Sequence, residues 1–551
     1  MSGTEARHEQ ESHERRHGAL AAAVRVVSGM TFLSRLGGMV RDVVLVRVFG
    51  GTAIGSAFTA GFAIPNMFRR LFGEGALSAA FIPEYASAQK NDPEQARRFA
   101  SLVVGALAIA TGLLTAVIEL ALLVALLVLP ADAERDLSIK LIMLMLPFMP
   151  FICVAAILGG VLQVHGRFGP AASGPLVLNG FIIAVGVWHL YHHSLGGEMT
   201  AYALGAATVL SGLTQAAWFF LILRRHVTWT RDVAPVKERG VRMLKKLVPV
   251  LIGMGTLQIT ALVDQLIAMW PIWIGPTLLG HAYPLDKASN IILAAAQRLY
   301  QFPLGVFGIA VATAAFPMLA RHADEPAAFV QTLRRGIRLS LFIGLPASVG
   351  LFLVRHDAMP LLYRFGGKGF SPEQIDRAAD VLAGYAPGIW AYSLIHVLTR
   401  AFYARGDTKT PMRIALCMVA LAATLNCTLI WFFREAGLGW STSTTAAIQA
   451  LVLALLCRRQ VHERLLDTPT FLAIVKLLVS TLVMGFLVWV LLRYLPAPVG
   501  WKDHALRLAG ACLLGGVSYP AAALLLRCHE PRWLLSRHRD APGQAKIDPG
   551  N

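Results

Sequence analysis

Ionisable side chains interrupt apolar sequence at a few places in this chain. The segment SGMTFLSRLGGMVRDVVLVRVFGG carries Arg35, Arg41, Asp42 and Arg47. A second apolar segment, starting near residue 56, carries Arg69, Arg70 and Glu74, and later ones carry Asp264 and Arg298. A guanidinium is planar, permanently charged and able to give two parallel hydrogen bonds to phosphate oxygens. Three of them converging in a low-dielectric cavity suit a pyrophosphate. Arg35, Arg41 and Arg298 are the candidates, because no obvious local acid neutralises all three.

Helical spacing narrows the roles. Arg35 and Asp42 fall on one face, two turns apart, whereas Arg41 points elsewhere on a straight helix. Gly37-Gly38 lies between Arg35 and Arg41 and allows a bend that re-aims Arg41. Arg70 and Glu74 have i,i+4 spacing. Arg298 precedes Pro303, which removes a backbone hydrogen bond and kinks its helix. The structural alternative is that such arginines snorkel to an interface or pair locally, the preferred reading for Arg47 and Arg70. Asp264, in GTLQITALVDQLIA, is a lone carboxylate of the kind that serves a cation or proton site. A salt bridge to one of the arginines fits it equally well.

Catalytic signatures are missing from the sequence: no Walker A loop, HExxH or GxSxG occurs, so neither an enzyme nor ATP as energy source is expected. The six cysteines form no CxxC pair, and neither a disulfide framework nor a zinc site is indicated.

The elements that must hold these charges are membrane helices. Of 551 residues 56% are hydrophobic and 15% charged, where a soluble protein carries roughly 25% charged residues; mean hydropathy is +0.58. The apolar residues come in blocks such as Leu102–Leu129 and Phe471–Leu492. At roughly 20 residues per bilayer crossing, about fourteen spans are expected, starting near residues 23, 56, 99, 138, 171, 200, 246, 288, 337, 379, 412, 438, 470 and 505. The net charge of +18 follows the positive-inside rule, and no nucleic acid is implied. Arg224–Lys246 holds eight Lys or Arg, whereas Gly50–Gly55 and Tyr191–Thr200 hold none; Arg355–Arg377, with four, breaks the alternation. An even span count with this alternation puts both termini in the cytoplasm. The first twenty residues lack a signal peptide's apolar core and read as a mobile cytoplasmic tail.

An internal repeat organises the spans. Gly73–Phe81 (GEGALSAAF) aligns with Gly308–Phe316 (GIAVATAAF), each followed by a proline, Pro83 or Pro317. Aromatic-x-x-Pro units lie upstream (Phe62–Pro65, Tyr300–Pro303) and arginine pairs downstream (Arg97-Arg98, Arg334-Arg335). The offset, about 235 residues, is six spans, so the copies insert in parallel. The expected architecture is all-α and polytopic, two six-helix lobes plus a helix pair: tail 1–22, lobes 23–229 and 230–460, helix pair 461–528, cytoplasmic tail 529–551.

These residues also carry a family likeness. Ser34–Asp42 (SRLGGMVRD), Pro65–Pro83, Gln297–Gly308 and Phe402–Pro411 resemble the signatures of the MurJ/MviN lipid II flippases, in the multidrug/oligosaccharidyl-lipid/polysaccharide exporter superfamily. The resemblance runs from about residue 24 to residue 528. It implies fourteen helices alternating between inward-open and outward-open states in the bacterial inner membrane. The implied substrate is lipid II, an undecaprenyl-pyrophosphate disaccharide-pentapeptide, and the implied cavity residues are Arg35, Arg41, Arg69, Arg298 and Glu74. Asp42 and Gln297 join them as cavity or gate positions, and the last helix pair is implied to form, with the second lobe, a groove for the lipid tail. The chain departs from the pattern at Ser56 and Gln297, where members often have Asp, and at Ala63, where they often have Lys. The two lost acids remove gating salt bridges. Some members bind sodium through an acid in the seventh helix and Asn-x-x-x-Asp in the eleventh; Asp264 and Asn426 match, while Ile430 stands at the second acid.

The expected function is lipid II translocation by alternating access, with membrane lipids as surroundings and Na+, H+ or the membrane potential as the coupling force. The alternatives are an exporter of another polyprenyl-pyrophosphate glycan, a cation-coupled drug exporter, or a non-transporting membrane scaffold.

Overall fold

The computed structural model describes residues 27, 29–73, 76–192, 195–225, 227–305, 316–461 and 465–535. Helix α1 covers residues 29–49. It is followed by α2 (Ala53–Gly73), α3 (Ala76–Asn91), α4 (Pro93–Val128), α5 (Ala133–Met145), α6 (Phe148–Val164), α7 (Phe168–His192), α8 (Gly197–Leu223), α9 (Lys237–Trp273) and α10 (Ser289–Pro303). After these, α11 (Pro326–Tyr363), α12 (Pro372–Tyr385), α13 (Ile389–Ala404), α14 (Lys409–Phe433), α15 (Ala436–Val461), α16 (Thr468–Tyr494), α17 (Trp501–Leu525) and α18 (Glu530–Leu535) complete the described chain. The all-α expectation holds, with one small addition. Strands β1 (Thr277–Leu278) and β2 (His281–Ala282) form a hairpin between α9 and α10. Its turn residues Leu279 and Gly280 both have positive φ, as a type I′ turn requires.

Among the described residues ten helical stretches are long and apolar enough to cross a bilayer, with α5–α6 and α12–α13 each counting as one. The other four expected spans, near residues 23, 56, 246 and 288, fall on α1, α2, α9 and α10. These are the helices that carry Arg35, Arg41, Asp42, Arg69, Asp264 and Arg298. Charges placed inside a span lower the hydropathy by which the span is recognised. Helix α4 shows the opposite case: Ile109, Leu113, Val117, Leu120 and Leu127 stand exposed along it, an apolar face that needs lipid rather than water.

Caps fix where the helices begin. The Asp92 carboxylate accepts from the backbone N–H of Glu94 (2.9 Å) and Gln95 (3.1 Å), ahead of Pro93 at the start of α4. The Gln95 hydrogen bond holds the Asp92 carboxyl below its ordinary range. Asp467 caps α16 in the same way through Thr470 N at 2.9 Å.

The repeat can be compared at some positions. Glu74 and residues 306–315 lie outside the described residues, so the Gly73/Gly308 motif is not compared. Helices α6 and α13 do end alike. Gly166 N donates to Gln163 O and Arg167 N to Leu162 O; Gly406 N donates to Tyr403 O and Asp407 N to Phe402 O. Both glycines are left-handed, with φ +74° and +77°, the Schellman ending for which glycine is suited. Gln215 and Arg224-Arg225 on and after α8 also recur, at one common offset, as Gln449 and Arg458-Arg459 on α15.

The chain packs as two compact units. The first is Met1–Arg298, Leu362–Ala378 and Val419–Leu438; the second is Leu299–Leu361, Ala379–Met418 and Gly439–Asn551. This partition follows packing, whereas the expected boundary at 229/230 follows the repeat. In the first unit Phe81, Tyr85 and Phe99 stack in a core with Leu158, Val161 and Phe219. Helices α1 and α7 approach closely, since a Cβ on Gly186 would lie 2.4 Å from Val44 Cγ1. In the second unit, Arg338 pairs with the buried Glu530 (2.5 Å) and Arg334 with Asp467 (2.9 Å). Elsewhere in it the buried Asp357 carboxylate meets His504 (2.9 Å) and Arg507 (3.0 Å). Arg507 also donates to Leu492 O, Leu495 O and Pro496 O, closing the end of α16.

Candidate functional site

The site begins on α1. The Arg41 guanidinium, only 6% exposed, donates from Nε (2.9 Å) and Nη2 (2.7 Å) to Asp42 Oδ1. Its Nη1 donates to Asn179 Oδ1 on α7 at 3.3 Å, and its plane lies over the Phe62 ring of α2 at 5.0 Å. Asn179 is itself fixed, donating from Nδ2 to Ser34 O at 3.1 Å. Gly37 allows that approach: a Cβ there would sit 3.3 Å from Asn179 Nδ2. The glycine pair therefore seats α7, and α1 stays helical through it.

Arg298 reaches the same carboxylate from α10, its Nε donating to Asp42 Oδ2. Each oxygen of one aspartate thus serves a different guanidinium. Arg69 on α2, which donates to Asn66 Oδ1 at 2.8 Å, acts electrostatically on Arg41. Arg35 is half-buried two turns before Asp42 on α1 and is not hydrogen-bonded to it.

Asp42 pairs with Arg41 and Arg298 but not with Arg35, so one local acid serves two of the three candidate arginines. One expectation changes: Arg41 was to point away from Asp42 on a straight helix, but the long arginine stem folds back onto the neighbouring residue. Asn179 and Phe62 had been missed, and the signal available was a buried polar residue in an otherwise apolar helix.

Asp264 and Asn426 are also brought together. Asn426 Nδ2 donates to Asp264 Oδ1 at 2.6 Å, with the residues 1% and 4% exposed. Asn426 Oδ1 is buried without a hydrogen-bond partner. Asp264 is held by an amide, and among the described residues no arginine salt bridge reaches it. Ile430 is buried nearby in sequence on α14. Gln297 is half-buried beside Arg298, and Glu74 lies outside the described residues.

The loop that broke the charge alternation has a structural reason. Arg377 donates to Asp286 Oδ2 and Oδ1, both at 2.8 Å, and also pairs with Glu435, which is 2% exposed. Ser289 Oγ donates to Glu435 Oε1 at 2.6 Å, and Arg434 lies 3.5 Å from Asp286. Burial acts to raise the Asp286 carboxyl, but the hydrogen bonds and charge of Arg377 outweigh it and hold the group below its ordinary range. Of the four basic residues in that loop, Arg377 is therefore neutralised in place.

A paired-arginine site inside an apolar helical scaffold is anion-binding chemistry. The family profile described as lipid II flippase MurJ matches residues 45–510. The chain belongs to the MurJ family. Among MurJ relatives, a probable lipid II flippase MurJ of Vibrio cholerae is 32% identical over 521 residues, covering 91% of this chain and 95% of its own. A lipid II flippase MurJ of Burkholderia cenocepacia is 28% identical over 450 residues, covering 80% and 84%. A solved MurJ in an inward closed conformation superposes with TM-score 0.74 at 21% identity, covering 93% of this chain and 99% of its own. An inward-facing multidrug transporter of the MATE family superposes with TM-score 0.59 at 14% identity, covering 80% and 98%. These structures show that the MurJ fold is shared with the wider exporter superfamily.

Proposed function

We propose that this chain translocates lipid II across the bacterial inner membrane by alternating access, moving its substrate without converting it. The observation that carries the reading is the Arg41–Asp42–Arg298 site. Two guanidiniums share one carboxylate, which leaves net positive charge in a buried place. Asp42 acts as a stand-in anion. An arriving pyrophosphate offers more oxygens and more charge, takes Arg298 and Arg41 from Asp42, and gives them back on release. Arg35 and Arg69 line the approach.

The topology that serves this reading has fourteen spans, both termini in the cytoplasm, and the Lys/Arg-poor ends outside. Coupling is assigned to the Asp264–Asn426 pair, responding to Na+, H+ or the membrane potential. The test is purified protein in proteoliposomes loaded with lipid II, with exposure of the headgroup followed over time. Accelerated exposure that undecaprenyl pyrophosphate inhibits supports the reading. Transport of a drug cation and none of lipid II would favour the cation-coupled exporter that the MATE-like fold also accommodates.

A further inference from the structure

The expected extracytoplasmic ends of the two lobes meet within the first packing unit. Asn290, the second residue of α10, is 4% exposed and donates from Nδ2 to Ser56 O of α2 at 3.0 Å. Ile291 N donates to Ser56 Oγ at 3.3 Å, and Ser56 is fully buried. Gln374 Nε2 donates to Gly51 O at 2.9 Å. Close approach is built in: a Cβ on Gly55 would lie 2.6 Å from Ile291 Cδ1. One turn further along α2, Ala60 is sealed against Met269 and Ile272 of α9.

These interlobe contacts are neutral hydrogen bonds. The ion pair that accompanies them, Lys287 with Glu134, is exposed on both sides and so worth little. At this end the ion pairs of Arg377, with Asp286 and Glu435, lie wholly within the second lobe; Arg47 Nη2 crosses to the neutral Phe365 O at 3.0 Å, and the interlobe ion pair Asp42–Arg298 belongs to the substrate site. Asp286 Oδ1 accepts from Ala288 N (2.9 Å) and from Ser289 Oγ (3.2 Å), and Asp286 N donates to Ser289 Oγ (2.9 Å). The cluster thereby fixes the first turn of α10, and Asn290 is the next residue. Separating a buried ion pair strands a charge, whereas a neutral hydrogen bond is readily exchanged for water.

We propose that Asn290 latches the extracytoplasmic gate onto Ser56, and that the Arg377–Asp286–Glu435 cluster is the fixed mount that positions it. Opening breaks the Asn290 and Gln374 contacts, together with the Arg47 hydrogen bond to Phe365 O, and leaves the mount intact. Neither Arg377 nor Asp286 touches substrate; both act through Asn290. The proposal rests on alternating access and is indifferent to the substrate.

The test uses the full-length chain in membranes, with Ala60→Cys as reporter and a membrane-impermeant maleimide on the extracytoplasmic side. The parent without the reporter gives the background of the native cysteines. Asn290→Ala is expected to speed labelling about fivefold, the population change that one ordinary hydrogen bond supports. Arg377→Gln is expected to speed it too, and Asn290→Ala with Arg377→Gln to be no faster than Asn290→Ala alone, since the two act in series. Asp286→Asn takes the place of Arg377→Gln if that variant is absent from the membrane. A folded Asn290→Ala protein that labels at the parent rate overturns the latch. Additive effects of the two substitutions overturn the mount. Labelling needs no lipid II, so the predicted pattern together with absent lipid II transport would sink the substrate reading and leave the gate standing.

Discussion

Arg298 and Asp42 lie 256 positions apart in sequence and are joined by an ion pair, while the other oxygen of the same carboxylate belongs to Arg41. One acid therefore holds two of the cations proposed to grip pyrophosphate. A buried guanidinium without a partner is costly, so an empty site needs an internal anion. A site that must also release its ligand needs that anion to compete.

Removing the competitor separates binding from turnover. Asp42→Asn keeps the shape and removes the charge. It is expected to tighten binding of undecaprenyl pyrophosphate about tenfold, in line with a charged hydrogen bond of about 1.5 kcal/mol, and to slow lipid II transport. Titration of the purified protein checks the first part. Unchanged or weaker binding by folded protein would remove Asp42 from the role of stand-in anion.

Asn179 steadies Arg41 from α7. Asn179→Leu leaves Arg41 with Asp42 alone and is expected to lower transport while the protein still reaches the membrane at normal levels. Wild-type transport rates in that variant would make the contact incidental.

The α1–α7 approach is tight at Gly186. Gly186→Ala drives a methyl toward Val44 and is expected to destabilise by about 1–3 kcal/mol, as overpacking does. Adding Val44→Ala should return part of the loss. Thermal unfolding in detergent measures both, and a melting temperature unmoved by Gly186→Ala would contradict the packing.

The mount of the gate carries a pH expectation. The folded Asp286 carboxyl is held below its ordinary value, so its contribution is complete above the unfolded pKa of about 3.9. It is lost as pH falls through the folded value. Relative to an exposed cysteine labelled at the same pH, which corrects for the thiolate fraction, Ala60→Cys labelling should therefore stay flat from about pH 8 to about pH 5.5. A rise in that window that Asp286→Asn abolishes would contradict the assignment.

The helices and the charge-bearing spans were legible in the sequence, because hydropathy blocks and isolated arginines are local features. Asp42 as a shared partner was not, since no periodicity links α1 to Arg298 on α10. Asn179 was hidden for the same reason, as its partner Arg41 lies 138 positions earlier. The Arg377 cluster left a trace as four basic residues in a loop expected to have few. For Arg377 the meaning needed Asp286 and Glu435, from two other segments. The pairing of Asp264 with Asn426 was suggested by family likeness, and the structure supplies the 2.6 Å contact.

The central claim is most directly tested by depleting a bacterium's own lipid II flippase and supplying this chain, with Arg298→Ala alongside at equal membrane level. The account predicts growth with the wild-type chain, and lysis with accumulated lipid II for Arg298→Ala. Full rescue by Arg298→Ala would contradict it, because the cation that Asp42 now holds would then have no part in carrying the pyrophosphate.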